Sequence, residues 1–130
     1  MIQPTDIETL ADRLSASANA LHTQLMRAIR RGEARELTQQ LFDNEIALRT
    51  QADSLYLDAA QLAALGLSDD TRQLLDLASR AAATVARIDR IKDLLDLSAE
   101  LLTLAAAIAA GKPEHVIKPL EDLKHHLEAL

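Results

Sequence analysis

Apolar residues recur along the N-terminal part of the chain at alternating spacings of four and three, the period of helices that pack along a narrow seam. The members of this first stripe are Ile7, Ala11, Leu14, Ala18, Leu21, Leu25 and Ala28. Thr5, followed three residues later by Glu8, matches a capping box, and Gly32 is a typical C-terminal stop. The pattern predicts a first helix over about 5–31.

A second stripe with the same spacing predicts a helix over about 33–65. Its members are Leu37, Leu41, Asn44, Leu48, Ala52, Leu55, Ala59 and Leu62. Three further residues, Phe42, Ile46 and Tyr56, lie on one flank of this stripe. Asn44 is a polar member of the seam. Such a residue either fixes the register of packing or reaches solvent, and the pattern leaves both open.

The third predicted helix is the longest, because no Gly or Pro interrupts the chain between residues 67 and 110. Its stripe is Leu74, Ala78, Ala81, Val85, Ile88, Lys92, Leu95, Ala99, Leu102, Ala106 and Ala109, in which Lys92 is the only charged residue. Asp96 and Ser98 could cap a new helix. The spacing continues across Asp96–Ser98, however, so we predict one continuous helix over about 69–110.

A short C-terminal helix is predicted over about 113–129, with Pro113 in its first turn. Its apolar positions are Val116, Leu120, Leu123, Leu127 and Leu130. The pattern as a whole predicts an all-α protein: an antiparallel helical bundle of three long helices and one short helix, forming a single domain over residues 1–130.

Composition supports the same class, since the 130 residues include 24 Ala and 25 Leu but only 2% aromatic residues. Without cysteine the chain can form no disulfide, zinc knuckle, iron–sulfur cluster or thiol nucleophile. The net charge is -6, and charges of both signs are spread along the chain, which argues against a nucleic-acid partner. The densest basic cluster comprises Arg27, Arg30, Arg31 and Arg35. Three of these arginines lie in the last turn of the first predicted helix, where cations complement the helix dipole.

Candidate catalytic and metal-binding patterns are weak. The glycine motifs of phosphate-binding loops do not occur. Adjacent histidines such as His125 and His126 point about 100° apart on a helix and do not readily share one metal ion. We therefore expect these histidines on a solvated face, and we expect no metal, no cofactor and no enzymatic activity. The N-terminus lacks a secretory signal pattern, so we expect a cytoplasmic protein.

Segment 97–110 is apolar on all sides, with Glu100 as its only charge, yet it is shorter than the ~20 residues needed to cross a bilayer. Other helices of the chain could cover it. Alternatively, Leu101, Leu104 and Ile108 contact a partner. Two arginines of the third helix are further candidate contact residues at the rim of such a surface. They are Arg87 and Arg90.

The functional prediction is a non-enzymatic helical protein–protein interaction module of an adaptor, chaperone-like or toxin-neutralising type. It would self-associate, most simply as a dimer, or bind one protein partner through an apolar helix face. The alternative is a helical protein that acts at a membrane surface or pore through segment 97–110.

Overall fold

The computed structural model describes residues 3–64, 71–111 and 115–130, and the regular elements in these ranges are helices. The helices are α1 (Pro4–Arg30), α2 (Arg35–Leu57), α3 (Ala59–Ala64), α4 (Thr71–Val85), α5 (Ile91–Ala109) and α6 (Ile117–Ala129). They pack against one another around a core made mainly of Leu, Ile and Ala. The predicted all-α class is confirmed.

Helix α1 begins one residue earlier than predicted and uses a different cap. Pro4 occupies its first turn, and the backbone N–H of Gln3 donates to the Asp6 carboxylate at 2.8 Å. The missing amide of proline costs nothing at this position, because the first amides of a helix have no intrahelical acceptor. At the other end Gly32 has φ 77, a left-handed conformation that favours glycine and ends the helix as predicted.

Helices α1 and α2 run in opposite directions. Their side chains meet in three pairs that join late residues of one helix to early residues of the other: His22 with Glu45, Asn19 with Arg49, and Asp12 with Tyr56. On its other side α1 packs against α4, while α2 packs against α5. Helix α6 contacts both α5 and α4.

The second predicted helix, 33–65, is shorter than expected and is interrupted at Asp58. Helix α2 ends at Leu57, and the short α3 turns toward α1. This turn buries Ala59, Leu62 and Ala63.

The third predicted helix is two helices, because residues 86–90 form a non-helical connection between α4 and α5. The prediction of one continuous helix over 69–110 was therefore wrong. The chain remains helical through Asp96–Ser98, where the sequence offers residues that could cap a new helix. Residues 69 and 70 lie outside the described ranges.

The break shifts the buried stripe by one residue. In α4 the predicted positions are buried, namely Leu74, Ala78, Ala81 and Val85. In α5 the buried residues include Ile91, Leu94, Ser98, Leu101, Ala105 and Ile108. Each of these lies one position before the residue that the continuous pattern predicted, and Lys92 consequently lies on the exposed side.

A side chain of α1 forms hydrogen bonds with the connection between α4 and α5. Gln24 is buried, and its Nε2 donates to the carbonyl oxygens of Val85, at 2.9 Å, and Ile88, at 2.7 Å. The last carbonyls of a helix lack intrahelical partners, and leaving them buried without a donor would be costly. Gln24 thus supplies from a distant part of the chain the hydrogen bonds that a continuous helix would have made.

Most of the predicted C-terminal stripe lies in the core, with Val116, Leu120, Leu123 and Leu127 buried, but its last member, Leu130, is exposed. Helix α6 begins at Ile117, later than the predicted 113, and Pro119 lies in its first turn. Residues 112–114, which include Pro113, lie outside the described ranges.

Candidate interaction surface

Most of the large apolar side chains of segment 97–110 are enclosed by the chain's own helices, whereas Ala99, Thr103, Ala106 and Ala110 are exposed. Leu101, Leu104 and Ile108 lie in α5, which packs against α2 and α6, and each is at most 1% exposed. A partner could contact these three residues only if the neighbouring helices moved away. Within the described residues, no helix combines the length and apolar character needed to cross a membrane.

The predicted contact residues Arg87 and Arg90 are both exposed, at the connection between α4 and α5. They line an open groove of about 340 Å³ with Ile88, Asp93 and Leu130 among its other walls. Five of its seven lining residues are charged or polar, and the other two are Ile88 and Leu130.

Asn44 is buried between α2 and α5 rather than directed to solvent. Its Nδ2 donates to Ser98 Oγ at 2.8 Å, and Ser98 Oγ donates to the carbonyl oxygen of Leu95 at 3.1 Å. Its Oδ1 accepts a bond from Gln40 Nε2 at 3.0 Å. The pairing gives this polar residue of the seam one specific partner on α5. Its role in fixing the register stays a prediction.

Among the described residues, the large exposed apolar side chains are Leu57, Ile117 and Leu130, together with four that lie on the outer side of α1 and α2. Ile29 of α1 is 53% exposed, and Phe42, Ile46 and Tyr56 of α2 are 41%, 47% and 39% exposed. Phe42 and Tyr56 are the only two aromatic residues of the chain. Both of them therefore lie outside the core.

We define the outer stripe as the residues of α2 that share this side at spacings of four and three. They are Arg35, Gln39, Phe42, Ile46, Arg49, Asp53 and Tyr56. The stripe has a basic residue near the α1–α2 connection, apolar residues in its first half, and an acidic residue toward the other end. Six of its seven members are exposed. Arg49 is partly buried, although 41% of its side chain is still exposed.

A shallow groove lies beside the stripe at the α1–α2 connection. Its volume is about 300 Å³, and it is lined by Leu25, Met26, Ile29, Arg35, Thr38, Gln39 and Phe42. Aromatic, Met and Arg side chains are enriched in protein interfaces, where they combine large contact area with adaptable packing. The groove and the outer stripe together form a continuous candidate interaction surface, which we call the outer face.

A hydrogen-bonded network fixes the middle of the outer face. Glu45 is buried, and its carboxylate accepts from His22 Nδ1 at 3.1 Å and from Arg49 Nε at 3.1 Å. Arg49 also donates to Asn19 Oδ1 at 2.9 Å. These bonds tie α1 to α2 and hold the Arg49 guanidinium in one position. A buried carboxylate with both oxygens engaged is a structural element here.

Tyr56 is held at the end of the stripe by a short hydrogen bond that its hydroxyl donates to the Asp12 carboxylate. This bond, with smaller contributions from burial and from the negative charge of Asp12, raises the pKa of the Tyr56 hydroxyl. The hydroxyl thus stays protonated at neutral pH and continues to donate. The ring is fixed on the surface, which lowers the entropy lost when a partner packs against it.

The histidines of α6 differ from one another. His125 is exposed, as expected, and so is His115 just before α6, whereas His126 is mostly buried and its Nδ1 lies 2.7 Å from Glu100 Oε1 of α5. The expectation of a solvated face was therefore wrong for His126. Across the described residues, no three His, Asp or Glu side chains are grouped so that they could hold a metal ion.

The Glu100 carboxylate is only partly hydrogen-bonded in this pair. Its Oε2 is buried without a hydrogen-bond partner. Burial raises the pKa of the Glu100 carboxyl, the bond and charge of His126 oppose the rise, and the charges of Asp122 and Asp96 add to it. The ionised form is thus less favourable in the folded protein than in the unfolded chain.

We expect Glu100→Gln to stabilise the protein at pH 7 by about 1 kcal/mol, because the amide removes a poorly solvated charge. A carboxyl whose folded pKa is raised contributes stability below its usual pKa and loses that contribution as the pH rises. The advantage of Glu100→Gln over the natural chain should therefore grow from pH 4 to pH 7 in urea unfolding. Glu128→Gln, at an exposed position of α6, is the control and should show no such trend.

Part of this surface was missed at the sequence level. Met26 and Ile29 end the first helix and gave no separate signal. The signal that did exist was the flanking set Phe42, Ile46 and Tyr56, which lies off the main seam of the second helix.

Comparison with known proteins adds no relative: no protein-family model, curated protein or solved structure matches this chain.

Proposed function

We propose that this protein is a non-enzymatic helical interaction module and that the outer face of α1 and α2 is its binding surface. The partner would be a protein helix that presents an apolar ridge, a carboxylate near Arg35 and a basic group near Asp53. The observation that carries the proposal is the exposure of both aromatic residues on this face. The antiparallel arrangement of the whole bundle belongs to the same proposal and is supported by the opposite directions of α1 and α2.

The outer face leaves apolar surface in contact with water. Completing the burial of Phe42 and Ile46 would gain about 1 kcal/mol each, and Met26 and Ile29 would add to this. Aromatic and Arg side chains dominate the binding energy of many protein interfaces. An Arg that is already ordered by Glu45 and Asn19 also loses little entropy on binding.

The chemistry of the face favours binding over catalysis. Its buried carboxylate, Glu45, is occupied by His22 and Arg49, so it is not free to act as a general base. The Tyr56 hydroxyl has a raised pKa, which disfavours the phenolate that a nucleophile or base would need.

Site-specific photo-crosslinking tests this proposal. A benzophenone amino acid would replace Phe42 in one variant and Thr103, an exposed residue of α5, in another. In native cell extract we expect a single stoichiometric protein adduct at position 42 and little at position 103. Adding Ile46→Lys should abolish the adduct at position 42 because it places a charge in the apolar ridge.

The proposal fails if position 42 crosslinks no more than position 103 in protein that is folded by circular dichroism. It also fails if Ile46→Lys leaves the adduct unchanged, since the contact would then not depend on the apolar ridge.

A further inference from the structure

We infer that the partner is a second copy of this chain, packed through the outer stripe of α2 in an antiparallel, two-fold symmetric contact. This inference rests on the proposed function and specifies its partner. It follows from the order of residue types along the stripe, which is complementary to its own reverse.

The symmetry axis would cross α2 at the level of Asn44. At that level Phe42 of one protomer faces the partner's Ile46, and the reverse contact is made by symmetry. Further out, Gln39 faces the partner's Arg49, and Arg35 faces the partner's Asp53. Apolar residues thus meet apolar residues at the centre, and opposite charges meet at both ends.

Other arrangements of two copies are less favourable. A parallel contact would place Arg35 beside the partner's Arg35 and Asp53 beside the partner's Asp53, which repel. Shifting the antiparallel axis half a heptad toward the C-terminus would place Phe42 against the partner's Asp53. The charge order of the stripe therefore selects both the direction and the register of the contact.

Charged residues on helix α1 favour the same antiparallel arrangement of the two copies. The end of the outer face at the α1–α2 connection carries Arg30 and Arg35, whereas the opposite end carries Asp12 and Asp53, all of them exposed. The two-fold arrangement brings the basic end of each protomer toward the acidic end of the other. A partner without this order of charges would not place opposite charges at both ends of the contact.

The area of the outer face is sufficient for a dimer. Helix α2 has 23 residues. At 1.5 Å per residue it is about 35 Å long, and two helices side by side are about 20 Å wide. The face thus offers about 700 Å² per protomer, or about 1,400 Å² in total, which lies in the range of specific, stable interfaces.

Sedimentation equilibrium of the full chain, from micromolar to about 200 μM, tests the dimer, and a charge exchange tests its register. We expect twice the chain mass of 14.2 kDa, and we expect Ile46→Glu to be monomeric and folded.

Arg35→Asp and Asp53→Arg should each raise the dimer Kd about tenfold, because each single change makes two like-charged pairs per dimer. The double variant Arg35→Asp/Asp53→Arg should return the Kd to within about threefold of the natural chain. Arg80→Asp, an exposed change on α4, is the control and should leave the Kd unchanged.

A monomer at about 200 μM would overturn the inference. If position 42 then still crosslinks a different protein, the proposed function stands and only the identity of the partner is wrong. If it crosslinks nothing, both fail. A dimer that survives Ile46→Glu, or whose charge-exchanged double variant is no tighter than the two single variants, also overturns the inference, because it would use another surface or register.

Discussion

Ala105→Asp should unfold the protein, and Ala106→Asp should leave it folded. Ala105 is 1% exposed in the interior of α5, whereas its neighbour Ala106 is exposed. An unpaired carboxylate at a buried site costs several kcal/mol, comparable with the whole free energy of unfolding of a small domain. The same side chain on the exposed side of a helix costs about 0.5 kcal/mol through its lower helix propensity.

The pair is informative because the two substitutions are chemically identical. Far-UV circular dichroism and urea unfolding would measure both variants under the same conditions. The continuous-helix pattern places Ala106 in the seam and Ala105 beside it, and so predicts the opposite ranking. If Ala106→Asp proves the more damaging change, the one-residue shift of the buried stripe in α5 is wrong.

The helices that the sequence predicted well are those whose limits are set by neighbouring residues. Gly32 ends α1 because its left-handed conformation suits glycine, and that preference is visible in the sequence. The stripe of α6 is buried as its spacing predicted, except for the terminal Leu130. The all-α class likewise follows from composition, since Ala and Leu favour helices wherever they occur.

The break between α4 and α5 could not be predicted in this way. From Ile88 the buried stripe continues to Ile91, three residues on, although the alternating pattern calls for a step of four to Lys92. Both steps occur in helices, so spacing alone did not decide between them. The charge at Lys92 was the one local indication that the longer step was wrong.

The exposure of the apolar helix faces could not be predicted for a similar reason. Whether an apolar helix face is covered depends on which helices pack beside it, and that is a property of the whole fold. Segment 97–110 is covered by α2 and α6, while Phe42 and Ile46 are left exposed because α1 and α5 occupy the other sides of α2. The sequence identified both apolar sets but could not rank their exposure.

Gln24→Met should destabilise the protein by about 2–4 kcal/mol, because two buried carbonyl oxygens, those of Val85 and Ile88, lose their donor. Methionine has nearly the same size, so the change removes the hydrogen bonds with little change in packing. Gln24→Glu should be at least as damaging, since it places a carboxylate beside these oxygens.

Urea unfolding measures the loss, and hydrogen exchange of the amides that follow Val85 shows whether it is local to the α4–α5 connection. Gln61→Met, at an exposed position of α3, is the matched control and should change stability by less than about 0.5 kcal/mol. Equal effects at positions 24 and 61 would mean that water replaces the Gln24 amide at no cost. The position of the break would then have to be set by the burial of Ile88 and Ile91 alone. A large effect at position 24 alone would instead establish that a side chain of the first helix determines where the third predicted helix breaks, and with it which face of α5 enters the core.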